Sequence, residues 1–132
     1  MPAKDKTRMG DCGSMTVHHL NFIAPGASPA EIRRFYGEAL ELIEIEKPMS
    51  LAGVSVLWFT AGAMVFHVGY PAAGTVGDGH TALATPSVEA ARARFLELGY
   101  DVDDHVIPMG YPRFYVRDPW GNRFEILPVC LL

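Results

Sequence analysis

The sequence predicts an α+β fold of two tandem βαβββ modules. Their strands are expected to form a curved, partly closed, eight-stranded barrel-like sheet around a cavity. Three observations carry this. The order strand–helix–strand–strand–strand is read twice. The two halves keep register: Phe35 and Phe95 are 60 positions apart, His19 and His80 61, Gly62 and Gly121 59. A Gly- and Pro-rich stretch, YPAAGTVGDG (70–79), marks the seam between them. A four-stranded sheet with a helix on one face leaves its other face uncovered. Two such sheets can curve around a shared cavity lined by those faces.

The first module is read over 16–69. TVHHLNFI (16–23) alternates as a strand does and is broken by Ala24-Pro25-Gly26. SPAEIRRFYGEAL (28–40) carries helix-start signals: Ser28 can cap, Pro29 takes the first helical position, and Glu31 completes a capping box. Ile32, Phe35, Tyr36 and Ala39 recur at helical spacing and form one apolar face. LIEIE (42–46), VSVLWFT (54–60) and MVFHVG (64–69) read as strands, the last two joined by a turn at Ala61–Gly62.

The second module is read over 79–128. HTALAT (80–85) is a strand. PSVEAARARFLEL (86–98) is a helix with Val88, Ala91, Phe95 and Leu98 on one face, stopped by Gly99. YDVDDHV (100–106), PRFYVR (112–117) and NRFEIL (122–127) complete the set. Together the modules make a single domain over 16–128. Residues 1–15 are polar, lack the apolar segment of a secretory signal, and are expected to be a disordered tail.

Composition excludes several function classes. A chain of 132 residues, 49% hydrophobic and 20% charged, can bury a core rather than remain disordered. Its net charge of −4 argues against nucleic acid or an anionic membrane surface as partner, because both require a basic face. The longest apolar stretch, residues 51–68, is interrupted by Gly53, Ser55, Thr60, Gly62 and His67, so it is two strands and a turn rather than a membrane span. Cys12 and Cys130 sit near the two ends and form neither a disulfide framework nor a zinc site. Both thiols are expected to be free and the protein cytoplasmic.

Strand alternation assigns the faces. Leu20 and Phe22 suit the helix side of the first strand, which turns His19, Asn21 and Ile23 to the cavity. Met64, Phe66 and Val68 leave His67 on the cavity side. Leu83 leaves His80, Ala82 and Ala84 inside, and the alanines make room for a ligand. Phe114 and Val116 leave Arg113 and Tyr115 inside; Phe124 and Ile126 leave Arg123, Glu125 and Leu127. Three of the five histidines and a carboxylate therefore face one concavity. Imidazoles and a carboxylate without thiolates suit a catalytic divalent ion with open positions: Fe, Mn, Ni, Co or Zn. A buried carboxylate is costly unless it is paired or ligates a metal, and the alternative to ligation is that Glu125 pairs with Arg113 or Arg123.

The motifs VHHLNF, the FY of IRRFYGEAL, GHTALAT and DPWGNRFEIL resemble the vicinal oxygen chelate superfamily over roughly 16–128. This group includes glyoxalase I, extradiol dioxygenases, fosfomycin-resistance enzymes and bleomycin-binding proteins, and the chain is similar to generic bacterial glyoxalase-like members. The resemblance implies metal ligands at His19, His80 and Glu125. Counting from the turn glycines lands on Phe66 for the matching place in the first module, whereas alternation points to His67, as a fourth ligand or an acid–base group. Arg113, Tyr115, Tyr111 and Asn21 are candidate substrate contacts, Arg113 with a structural role as an equal alternative, the two tyrosines with packing as the plainer reading and Asn21 the weakest, and Glu125 is the candidate catalytic group. The family usually carries Leu-Gly at the end of the first helix, where this chain has Leu40-Glu41. The resemblance further implies a homodimer and a metal-dependent enzyme of lyase, isomerase or dioxygenase type, acting on a small substrate that chelates through adjacent oxygens. The alternative is a metal-free binding protein that sequesters a drug or metabolite.

Overall fold

The structure is a computed structural model and describes residues 17–129. The expected tail, residues 1–15, and both cysteines lie outside the described residues. The first module contains strands β1 (His19–Ile23), β2 (Ile43–Ile45), β3 (Val56–Ala61) and β4 (Met64–Gly69). The second contains β5 (His80–Thr85), β6 (Val102–Asp103), β7 (Phe114–Arg117) and β8 (Arg123–Pro128).

The strand order is β1-β4-β3-β2 in one sheet and β5-β8-β7-β6 in the other, so the repeat read from spacing is a repeat of topology. In each sheet the first and last strands of the module pair in parallel and the remaining pairs are antiparallel. The expectation of one eight-stranded, barrel-like sheet is corrected here. Among the described residues the strands form two separate four-stranded sheets, with no ladder running from one to the other. Each module completes its own hydrogen-bonding pattern, and the modules are joined by side chains instead.

That junction is a single hydrophobic core. Phe124 of β8 lies 5.3 Å from Phe22 of β1 and 6.0 Å from both Phe35 and Tyr36, measured between ring centroids. Phe35 in turn lies 5.9 Å from Phe95 on the second helix. Alternation holds on the strands: Phe59, Phe66, Val68, Phe114, Val116, Phe124 and Ile126 are buried on the core side.

The first helix starts as expected. In α1 (Pro29–Ile32), Ser28 Oγ accepts from the Glu31 N–H and Glu31 Oε1 accepts from the Ser28 N–H, a complete capping box. Its continuation differs from a plain α-helix, because Arg33–Ala39 is π-helical, with the Leu40 N–H donating to the Phe35 carbonyl. A wider turn rotates less per residue, so the adjacent Phe35 and Tyr36 both enter the core fully buried. The chain leaves through Glu41 at φ +57°, a left-handed conformation on a residue with a Cβ. The second helix, α2 (Val88–Glu97), is capped by Ser87 and left through Gly99 at φ +87°. The strand expected over 100–106 shrinks to Val102–Asp103. Asp103 Oδ1 accepts from the His105 N–H, and Asp104 pairs with Arg92 of α2, which draws the chain off the ladder.

Candidate functional site

Among the described residues each sheet turns one face to the core and leaves the other open. On the first sheet the open face carries His19, Asn21 and Ile23 of β1, Val65 and His67 of β4, and Trp58 of β3. Register fixes this, since Asn21 is opposite His67 and His67 is opposite Trp58. On the second sheet Ala82 is opposite Glu125, His80 opposite Arg123, and Tyr115 opposite Glu125. His80, Tyr115, Arg123 and Glu125 therefore share one open face.

The two faces carry the same device. His19 sits two residues before the partner of His67 on the parallel strand, and His80 sits two residues before the partner of Glu125. His67 is thus the register equivalent of Glu125, and alternation outweighs the count from the turn glycines. The rings of His19 and His67 stack at 4.3 Å, and His67 stacks on Trp58 at 4.0 Å. Burial, with the neighbouring His19 and His18, holds the His67 imidazole below its ordinary range. On the other sheet His80 Nε2 is 3.9 Å from Glu125 Oε1.

The four residues stand as two pairs. Among the described residues no group of three or more His, Cys, Asp or Glu side chains is placed to hold a metal ion. The donor set of each pair nonetheless fits one. The carboxylate of Glu125 is divided: Oε2 accepts from Arg113 Nη1 at 2.5 Å and from the Tyr115 hydroxyl at 3.4 Å, whereas Oε1 faces His80. The pairing with Arg113 that the sequence left open is therefore present, and it engages one oxygen of two.

Arg113 is nearly enclosed, with 9% of its side chain exposed. Its remaining bonds go to the Tyr115 hydroxyl and the Ile107 carbonyl, so both terminal nitrogens are engaged while the buried Nε has no hydrogen-bond partner among the described residues. Asn21 is exposed on β1, and Tyr111 is half-buried in the loop before β7. Neither side chain makes a hydrogen bond among the described residues. His105 is fully exposed beside Asp103.

Two groups escaped the sequence reading. Trp58, the flat support under His67, was read only as strand. Asp118 opens the Asp-Pro-Trp-Gly-Asn segment, in which Pro and Gly mark only a turn. Its Oδ1 accepts from the N–H groups of Trp120 and Asn122, and its Oδ2 from the Tyr36 hydroxyl at 2.8 Å and from Asn122 Nδ2 at 2.7 Å. Asn122 Nδ2 also donates to the Ile23 carbonyl at the end of β1. This node fixes the turn that launches β8, and with it Glu125, against the first module. The Asp-Pro-Trp-Gly-Asn pattern signals the turn; nothing local signals partners in the other half of the chain.

A family model described as the Glyoxalase/Bleomycin resistance protein/Dioxygenase superfamily matches residues 16–126. Among curated proteins none matches. The fold is similar to a solved protein described as of the glyoxalase family from Bacillus anthracis, with TM-score 0.78, 29% identity, and coverage of 87% of this chain and 95% of that one. It is also similar to the lactoylglutathione lyase of Agrobacterium tumefaciens, with TM-score 0.66, 22% identity, and coverage of 88% and 95%. The fosfomycin resistance protein FosX of Listeria monocytogenes gives TM-score 0.71, 14% identity, and coverage of 90% and 94%. At those last two identities the likeness is one of fold.

Proposed function

Because the chain belongs to the Glyoxalase/Bleomycin resistance protein/Dioxygenase superfamily, we propose that it is a divalent-metal-dependent enzyme for a small substrate with adjacent oxygens. His19 and His67 of one sheet and His80 and Glu125 of the other would hold the ion. The observation that carries this is the repeated device: two donor pairs at the same register places of two like sheets, both on open faces. One chain leaves the pairs apart, so the reading includes a homodimer in which each pair faces its complement on a second copy.

A bound divalent ion supplies Lewis acidity and a template for adjacent oxygens. The protein's own part is positioning and proton handling. Arg113 and Tyr115 hold Glu125 Oε2, which leaves Oε1 directed at His80. Whichever of Glu125 and His67 stays off the ion is the proton acceptor, and burial with the neighbouring His19 and His18 holds the His67 imidazole below its ordinary range. The scaffold supports lyase, isomerase and ring-opening dioxygenase chemistry alike, and the fold does not choose among them. The chain is read as cytoplasmic; among the described residues no helix is long and apolar enough to cross a membrane.

Metal content after reconstitution with Fe, Mn, Ni, Co or Zn tests this, on wild type, His80→Ala and Glu125→Gln. Wild type is expected to retain about one ion per site and the variants far less; equal, negligible retention by all three defeats the reading. Mixing the double variants His19→Ala/His67→Ala and His80→Ala/Glu125→Gln tests the second copy. Random pairing of two-fold dimers regenerates about a quarter of the sites, whereas sites formed within one chain regenerate none.

The Arg113–Glu125 contact favours one rival. In a metal-free binding protein, Glu125 serves as half of an enclosed ion pair. That reading predicts no ion in wild type and a substantial loss of stability in Arg113→Met.

A further inference from the structure

Among the described residues, Arg123 is the cation of the second sheet's open face that the protein itself does not use. Arg113 is committed to Glu125, Tyr115 and the Ile107 carbonyl, and Arg117 donates to the Gly121 carbonyl. Arg123 makes no hydrogen bond and no ion pair among the described residues. Its position is nevertheless defined: its guanidinium lies 3.8 Å from the centroid of the Tyr115 ring. Stacking covers the flat face of a guanidinium and leaves its in-plane N–H edge available, the geometry that receives an oxyanion bidentately.

The surroundings give that edge a place to act. Arg123 is the cross-strand partner of His80 and lies two residues from Glu125 on the same face. The Tyr115 ring beneath it also meets the His80 ring edge-on at 5.4 Å. A cavity of about 600 Å³ opens beside it, lined among others by Tyr115, Arg117, Arg123, Asp101 and Asp103 but not by His80 or Glu125, whose nearness to Arg123 rests on the strand register. The two aspartates oppose an anion in that space. Asp103 is held in its charged form by the His105 N–H, with Arg123 a weaker contributor. The site is thus a cation with an acidic wall rather than a general basic patch, so it selects where an anion sits.

We propose that Arg123 is a docking residue for an oxyanionic group, a carboxylate, phosphate or phosphonate, on the small molecule that reaches His80 and Glu125. As a statement about substrate this rests on the metal-enzyme reading; as a statement about anion binding it does not. The substrate class narrows to anionic molecules, with the charged group one side chain away from the metal-ligating pair.

The test uses inorganic phosphate as probe and full-length, chelator-treated protein, followed by phosphorus NMR line broadening, with unfolding curves confirming that each variant is folded. Wild type is expected to bind phosphate saturably in the millimolar range. Arg123→Gln is expected to weaken binding by about ten-fold or more, Arg123→Lys by less because it keeps charge but loses the fork, and Arg117→Gln by under about three-fold. Asp103→Asn is expected to strengthen it. Absence of saturable binding by wild type, or binding by Arg123→Gln equal to wild type, overturns the proposal. Since the metal is absent throughout, a failure here leaves the metal-content result unaffected, and a failure there leaves this one unaffected.

Discussion

Asp118 shows how one side chain can serve both a local and a distant role. It is buried, with 3% of its surface exposed, and accepts four hydrogen bonds. Burial raises its pKa, and the bonds to Asn122, Tyr36 and Trp120 oppose that only in part. The folded value therefore lies above the unfolded one. The stability Asp118 contributes is fully present below the unfolded carboxylate pKa, near 4, and is lost as pH rises through the raised folded value. Asp118→Asn cannot titrate. The stability of wild type minus that of Asp118→Asn is thus expected to fall steadily from acid toward neutral pH, measured by urea unfolding at several pH values. A difference that grows with pH would reverse the sign argued here. Tyr36, whose hydroxyl donates to Asp118, is driven far above the ordinary phenol range, first by burial and then by that carboxylate, so it stays protonated. Such a node was not legible in the sequence, because Tyr36 and Asp118 lie 82 positions apart.

At the scale of elements, the two helices offer a comparison within one molecule. Both end in a left-handed residue, Glu41 after the first and Gly99 after the second. Glycine adopts that conformation without the Cβ penalty of roughly 1–2 kcal/mol, at the expense of a more flexible unfolded chain. The missing glycine noticed in the sequence is therefore a true left-handed cap held by a glutamate. Glu41→Gly is expected to stabilise the protein by about 0.5–1 kcal/mol, read from thermal or urea unfolding. The exposed contact of Glu41 with Arg94, at 3.3 Å, is worth too little to reverse this. Strand boundaries were less legible than helix caps. The sequence 100–106 alternates well enough for a long strand, but Asp103 and Asp104 spend their side chains on His105 and Arg92 and end it after two residues. Side chains that compete with the ladder for backbone groups decide such boundaries.

For the whole molecule, one core serves both modules. Phe124 belongs to the second sheet yet packs on Phe22, Phe35 and Tyr36 of the first module. Phe124→Ala is expected to cost about 3–5 kcal/mol and to lower the stability of both modules together. A single unfolding transition by circular dichroism and by fluorescence checks this. Two transitions, with only one moved by the substitution, would mean that the modules unfold independently. The two open faces are the complement of this arrangement. With both helices committed to the shared core, nothing among the described residues covers the sheet faces that carry His19, His67, His80 and Glu125.

The sequence alone determined the repeat, the cap at Ser28, the stop at Gly99 and the alternation that buries one face of each strand. Those properties rest on period, spacing and local hydrogen bonding, all of which are written along the chain. Only the tertiary structure decided that the strands form two sheets rather than one, and that the four candidate ligands stand as two pairs. It also decided that Arg113 is bonded to Glu125, whereas Arg123 makes no hydrogen bond or ion pair among the described residues. These depend on which distant surfaces meet and which donors are already taken, and a one-dimensional pattern carries neither.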